Sequence, residues 1–169
     1  MVDSLPPSGI DPDNKTISTN SNDKLEVVGP TQYYLGNFDQ DSGDWTGIDE
    51  VEYGSAIVDC RGENPLPQSA SVTADLTGID VLNIRIEVND LKVKIKVDGI
   101  ELGTLEDAYD YQTLEISGLD NYDFGTNSTL TIEAYYLYDE RGTFWIDYVY
   151  GLIQPESRKI ELVDTGGLS

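Results

Sequence analysis

Apolar and polar residues alternate through the middle of the chain. Leu82, Ile84, Ile86 and Val88 are separated by Asn83, Arg85 and Glu87, and Val93, Ile95 and Val97 follow in the same way among Lys92, Lys94 and Lys96. A period of two puts successive side chains on opposite faces of a strand, so each run predicts a β-strand with one buried face. Asn89-Asp90 reads as a two-residue hairpin turn joining the two runs. Asp98-Gly99 reads as a second turn leading into Ile100 to Leu105, since a type I′ turn needs positive φ at both central residues. Further strands are predicted at Ala56 to Cys60, Ser71 to Asp75, Thr113 to Ser117, Thr129 to Tyr138 and Thr143 to Leu152. Short strands at this spacing, with Gly and Asp turns and no helical period, predict an all-β fold, a β-sandwich or jelly roll over residues 29–153.

The ends differ from this middle. Residues 1–24 hold no aromatic side chain and few apolar ones, so they cannot offset their ordering entropy by burial. Residues 1–28 therefore predict an extended N-terminal anchoring arm. Its Ile10, Ile17, Leu25 and Val27 are the expected assembly contacts, with Thr16 to Thr19 and Leu25 to Val28 each adding a strand to a partner's sheet edge. Residues 154–169 predict a C-terminal extended tail with one short strand at Lys159 to Val163.

Charge narrows the function. Against 10 Lys and Arg stand 32 Asp and Glu, a net charge of -22, and the chain has no histidine. Bulk repulsion excludes nucleic acid and anionic membrane as partners. The missing imidazole excludes Ser-His-Asp, Cys-His and zinc-histidine chemistry. The single cysteine, Cys60, cannot close an intrachain disulfide and reads as a core thiol. No apolar stretch approaches the roughly 20 residues that span a bilayer, and no basic start followed by an apolar run marks a secretory signal. Such an acid excess is soluble and screened in molar salt, the composition expected of a halophile's protein or of its virus; a mesophilic acidic surface or calcium-binding protein is the alternative reading.

Three groups of residues are candidates for chemistry. The loop Phe38-Asp39-Gln40-Asp41-Ser42-Gly43-Asp44-Trp45 offers clustered oxygens suited to calcium, although its spacing is not that of an EF-hand; a solvated acidic turn is the alternative reading. Lys92, Lys94 and Lys96 share one strand face, and a hairpin at Asn89-Asp90 sets Glu87 opposite Lys92 and Arg85 opposite Lys94. This basic patch reads either as a docking surface for an acidic glycan or subunit, or as charge neutralised internally by Glu87 and Glu101. Tyr135, Tyr136, Tyr138, Phe144, Trp145, Tyr148 and Tyr150 crowd the last two strands and divide between core and surface. Trp45, Arg85, Lys92, Lys94, Lys96 and Trp145 are the expected ligand contacts. No acid pair stands out as the two carboxylates of a glycosidase.

The order of landmarks from Gly36 to Leu152 resembles the galactose-binding-like, carbohydrate-binding-module type of jelly roll. Gly36-Asn37-Phe38-Asp39 to Gly43-Asp44-Trp45-Thr46 looks like that family's opening, and Ser71 to Gly78 like its strand ending in Asp-Leu-Thr-Gly. Lys94 to Leu105 is similar to its central hairpin and Thr143 to Val149 to its closing strand. The resemblance implies carbohydrate binding and a structural calcium held by Asp39 and Asp147, although Tyr148 stands where a second acid or Asn often follows. The segment from Gly9 to Val27 resembles the arms of tail-fibre, collar and head-decoration proteins of tailed viruses.

Together these readings predict a non-enzymatic structural virion protein of a haloarchaeal tailed virus: a turret, spike, collar or tail-fibre subunit that touches host surface glycans. It would form a homo-oligomer, trimer or pentamer, with other virion proteins, be assembled in the host cytoplasm and act on the extracellular particle. A host cell-surface or secreted carbohydrate-binding module is the alternative, and a glycoside-active enzyme the third reading.

Overall fold

The computed structural model describes residues 10–11, 15–19, 25–61, 67–137 and 142–154. Among the described residues there are eleven strands: β1 Ile10–Asp11, β2 Lys15–Thr19, β3 Leu25–Val28, β4 Thr31–Gly36, β5 Glu50–Glu52, β6 Ser55–Asp59, β7 Gln68–Ala74, β8 Val81–Val97, β9 Ile100–Ile116, β10 Ser128–Tyr136 and β11 Thr143–Ile153. Among the described residues the one helical segment is a 3₁₀ turn at Leu119–Asn121. The all-β jelly-roll expectation holds.

β5-β6-β11-β8-β10-β7 form one curled sheet in that order, with β4 on β11 and β9 on β8. β8 ties its two halves together. Its first half pairs with β11, from Asn89↔Thr143 to Val81↔Leu152, and its second half with β10, from Leu91↔Tyr136 to Val97↔Leu130. The inner face is the core, in which Leu82, Ile84, Ile86, Val88, Leu91, Val93, Ile95, Val97, Ile132, Phe144 and Ile146 are fully buried. Burying this many branched side chains, each stabilising by about 1.5–3 kcal/mol, is what holds the curled sheet closed.

From Ile84 the buried positions of β8 are even-numbered up to Val88 and odd-numbered from Leu91. This change of parity is the signal that predicted a turn at Asn89-Asp90, and the structure corrects it. Asp90 adopts φ 58, a left-handed conformation that Asp tolerates, and the strand runs on with its faces exchanged. β9 answers with its own irregularity. Val88 pairs with Ala108, but Ile86 pairs with Gln112, so Tyr109, Asp110 and Tyr111 bulge from β9. The Tyr109 hydroxyl donates to Asp90 Oδ1 at 2.7 Å and joins the two bulges. Glu87 and Lys92 thus lie along one strand, and neither Glu87 and Lys92 nor Arg85 and Lys94 face each other. Asp98-Gly99 is the expected turn, with φ 50 and 82, and sets Lys96 opposite Glu101. The predicted strands at Ile100 to Leu105 and Thr113 to Ser117 are two parts of one strand, β9.

Residues Gln32–Leu152 form one compact unit. In the other, β1, β2 and β3 make a small antiparallel sheet, with Ile10 opposite Thr16, Ile17 opposite Val27 and Leu25 opposite Thr19. Ile10, Ile17, Leu25 and Val27, the expected assembly contacts, lie in these three paired strands. The strand expected at Lys159 to Val163 lies outside the described residues.

Candidate functional site

The outer face of β6, β11, β8 and β9 carries a row-by-row arrangement fixed by strand register. Trp145 lies between Ile57 and Glu87. One step on, β11 holds an extra residue: Ile146 pairs with Ile86 and Tyr148 with Arg85, leaving Asp147 in a bulge. A bulge re-aims side chains, and here it brings the Asp147 carboxylate to Arg85 Nε at 2.9 Å. Two steps further, Tyr150 pairs with Asn83 on the same face.

Tyr111 crosses this face. Its ring lies 5.2 Å from the Arg85 guanidinium, and its hydroxyl is 2.7 Å from Ser55 Oγ on β6. Tyr53 completes the arrangement. It occupies the β5–β6 turn with φ 51 and is 95 % exposed. A bulky residue at positive φ is strained by about 1–3 kcal/mol, and such strain concentrates at functional sites. Glu52, Tyr53, Trp145, Tyr111, Arg85 and Asp147 line a groove of about 420 Å³, with Glu87, Ser55 and Ile57. Aromatic faces beside a paired guanidinium and carboxylate can stack on a ligand ring and bond its hydroxyls.

The expected ligand contacts separate. Arg85 and Trp145 meet in the groove. Trp45 does not: it is 5 % exposed, its Nε1 donates to Leu35 O at 2.7 Å, and Phe38 packs edge-on at 5.7 Å. Its indole is a core group because its one polar atom is satisfied inside the fold. Lys92, Lys94 and Lys96 lie beyond the Asp90 bulge, each paired, with Glu106 at 2.9 Å, Glu101 at 3.0 Å and Glu133 at 3.1 Å. Lys96 Nζ also donates to Tyr135 Oη, and Tyr135 in turn bonds Glu133. Hydrogen bonds donated to Glu106 and Glu133 push Lys92 and Lys96 up, and the Tyr135 hydroxyl, then Lys96, holds Glu133 below the usual glutamate range. The basic patch is thus neutralised by its own neighbours, with Glu106 and Glu133 in place of the predicted Glu87.

Asp39 and Asp147 do not fit a shared calcium. Asp39 is exposed on its loop, and Asp147 is occupied by a guanidinium. Among the described residues no group of three or more His, Cys, Asp or Glu is placed to hold a metal ion. The acidic loop is a turn in which Gly43 N–H donates to Asp41 Oδ1 and Trp45 N–H to Ser42 O. Cys60 is fully buried, and burial, then Asp49 and Asp59, pushes its thiol up to about 12.

Solved structures share this architecture. A mutant of a family 29 carbohydrate binding module aligns with TM-score 0.56 at 14% identity, over 73% of this chain and 92% of that one. The fold is that of carbohydrate-binding-module jelly rolls. A lysine-to-alanine mutant of a family 29 module, complexed with cellulohexaose, gives TM-score 0.55 at 14% identity, over 75% of this chain and 93% of that one. A family 36 module in complex with calcium and xylotriose aligns at only 0.42, with 14% identity over 71% of this chain and 98% of that one, which places neither ion nor sugar here. No family model and no curated protein matches the chain.

Sequence reasoning missed Tyr53 and Tyr111. Tyr53 had a signal: Glu52-Tyr53-Gly54-Ser55 puts an aromatic where a two-residue turn favours Asn or Asp. Tyr111 sits in Asp107-Ala108-Tyr109-Asp110-Tyr111, a break in alternation that marks the bulge.

Proposed function

We propose that this chain is a non-catalytic carbohydrate-binding domain whose groove takes an uncharged glycan. The observation that carries this is the meeting of Trp145, Tyr111 and the strained, exposed Tyr53 around the Arg85–Asp147 pair in one groove. Sugar rings present C–H faces that stack on aromatic rings and hydroxyls that bond charged planar groups, and a few convergent polar groups fix orientation. The neighbours' fold supports the reading, and one of them was solved with cellulohexaose. The groove's lining holds one cation, Arg85, already paired, against Glu52, Glu87 and Asp147. An acidic glycan would meet net repulsion there, and Lys92, Lys94 and Lys96 are paired elsewhere.

The test is calorimetric titration with cello-, manno- and xylo-hexasaccharides beside an oligogalacturonate. Saturable binding of a neutral series with no acidic binding is expected. Binding of the oligogalacturonate alone, or of no glycan, overturns the proposal.

A further inference from the structure

The groove does not exhaust the aromatic surface of this face. Tyr148 and Tyr150 share it with Trp145 and Arg85 by register. Their ring centroids are 5.4 Å apart, and Tyr150 lies 5.6 Å from Tyr34 of β4, which pairs with β11. Tyr34 is 57 % exposed. It also lines a second hollow of about 330 Å³ with Tyr33, Asn37, Asp41, Asp44 and Thr73. A run of three tyrosine rings, Tyr148 on Tyr150 and Tyr150 on Tyr34, thus leads from the strand positions beside the groove to the second hollow, on a molecule of net charge -22.

We propose that Tyr148, Tyr150 and Tyr34 form a second contact segment of the same binding surface, so that the ligand is a glycan chain laid along β11. The inference rests on the proposed function and adds its ligand's length and direction. Trp145 to Tyr150 spans about 15 Å at the rise of an extended strand. Along it the surface alternates in the order a chain of sugars requires: the Trp145 ring, the polar Arg85–Asp147 pair with Tyr111 lying over Arg85, then the tyrosine rings. The Asp147 bulge creates this order, because its extra residue lets Asp147 and Tyr148 both serve the outer face. Continuity with the groove favours a glycan here over a second protein copy.

The test compares a disaccharide with a hexasaccharide of the neutral series that binds, titrated into the full chain and into Tyr34→Ala, Tyr150→Ala and Trp145→Ala. Tyr34→Ala removes an exposed ring and leaves the core intact, so it serves where Tyr150→Ala fails to fold. Tyr34→Ala is expected to weaken the hexasaccharide about five- to tenfold and leave the disaccharide within twofold, while Trp145→Ala weakens both. Equal hexasaccharide affinity in Tyr34→Ala and the unaltered chain overturns the second segment and leaves the proposed function standing. A change of solution mass in Tyr34→Ala without loss of hexasaccharide affinity also overturns it, by making the stripe an interface between copies. Failure of every neutral series removes both.

Discussion

The Ser55 and Tyr111 hydroxyls are 2.7 Å apart although β11 and β8 separate their strands. Three strand spacings amount to about 14 Å in a flat sheet, so the contact exists because the sheet curls and the β9 bulge lifts Tyr111 over the face. Ser55 is buried, and its oxygen has few alternatives. Tyr111→Phe is expected to cost about 1 kcal/mol, or about 2–4 °C in Tm. Ser55→Ala should cost a similar amount, and a double-mutant cycle by urea unfolding should show the two losses to be coupled; additive losses would mean the hydroxyls do not share a bond that matters.

Chelation should be silent. Asp147 answers Arg85, and no cluster of three acids gathers around it or Asp39 among the described residues. Melting in EDTA and in calcium at matched ionic strength should coincide. A chelator-dependent fall in Tm that Asp147→Ala removes would restore the calcium site.

Two acids predict opposite pH behaviour. Burial, then the neighbouring Asp120 carboxyl, raises Asp80 above the usual aspartate range. The folded state therefore holds that proton more tightly, a contribution present at low pH and lost as pH rises through the folded-state pKa. Asp80→Asn should raise Tm at pH 7, and the advantage should shrink towards pH 3. Glu133 is held below 4.5 by Tyr135 and Lys96, so its contribution is present above 4.5 and lost as pH falls through its folded-state value. Glu133→Gln should lower Tm at pH 7 and converge with the unaltered chain in acid. Thermal melts from pH 3 to 7 check both signs.

Much of the fold was legible because alternation reports burial directly: Leu82 to Val88, Val93 to Val97 and Thr143 to Leu152 lie in strands as read, and of the predicted Thr129 to Tyr138 the part up to Tyr136 lies in β10. The path of the chain at Asn89-Asp90 was not, because a parity change is the same in a hairpin and in a bulge, and only pairing with β10 and β11 decides between them. Half the groove was readable as Arg85 and Trp145. Trp45 misled because a tryptophan in an acidic loop resembles an exposed one until its N–H finds the Leu35 carbonyl. Tyr111 was invisible, since its role depends on Ser55, 56 residues away in sequence. The reading of residues 1–28 as a virion arm rests on composition and a short motif, and the groove neither requires nor replaces it.

The most direct test of glycan recognition uses the chain's two tryptophans, Trp45 in the core and Trp145 in the groove. The chain and its Trp145→Ala variant are titrated with the neutral hexasaccharides by calorimetry, and intrinsic fluorescence is followed in parallel. Saturable binding that perturbs fluorescence is predicted. In Trp145→Ala the fluorescence change should vanish and affinity should fall at least about thirtyfold, about 2 kcal/mol, with Tm nearly unchanged. Undiminished binding by Trp145→Ala would show that the glycan is held elsewhere and would contradict the account.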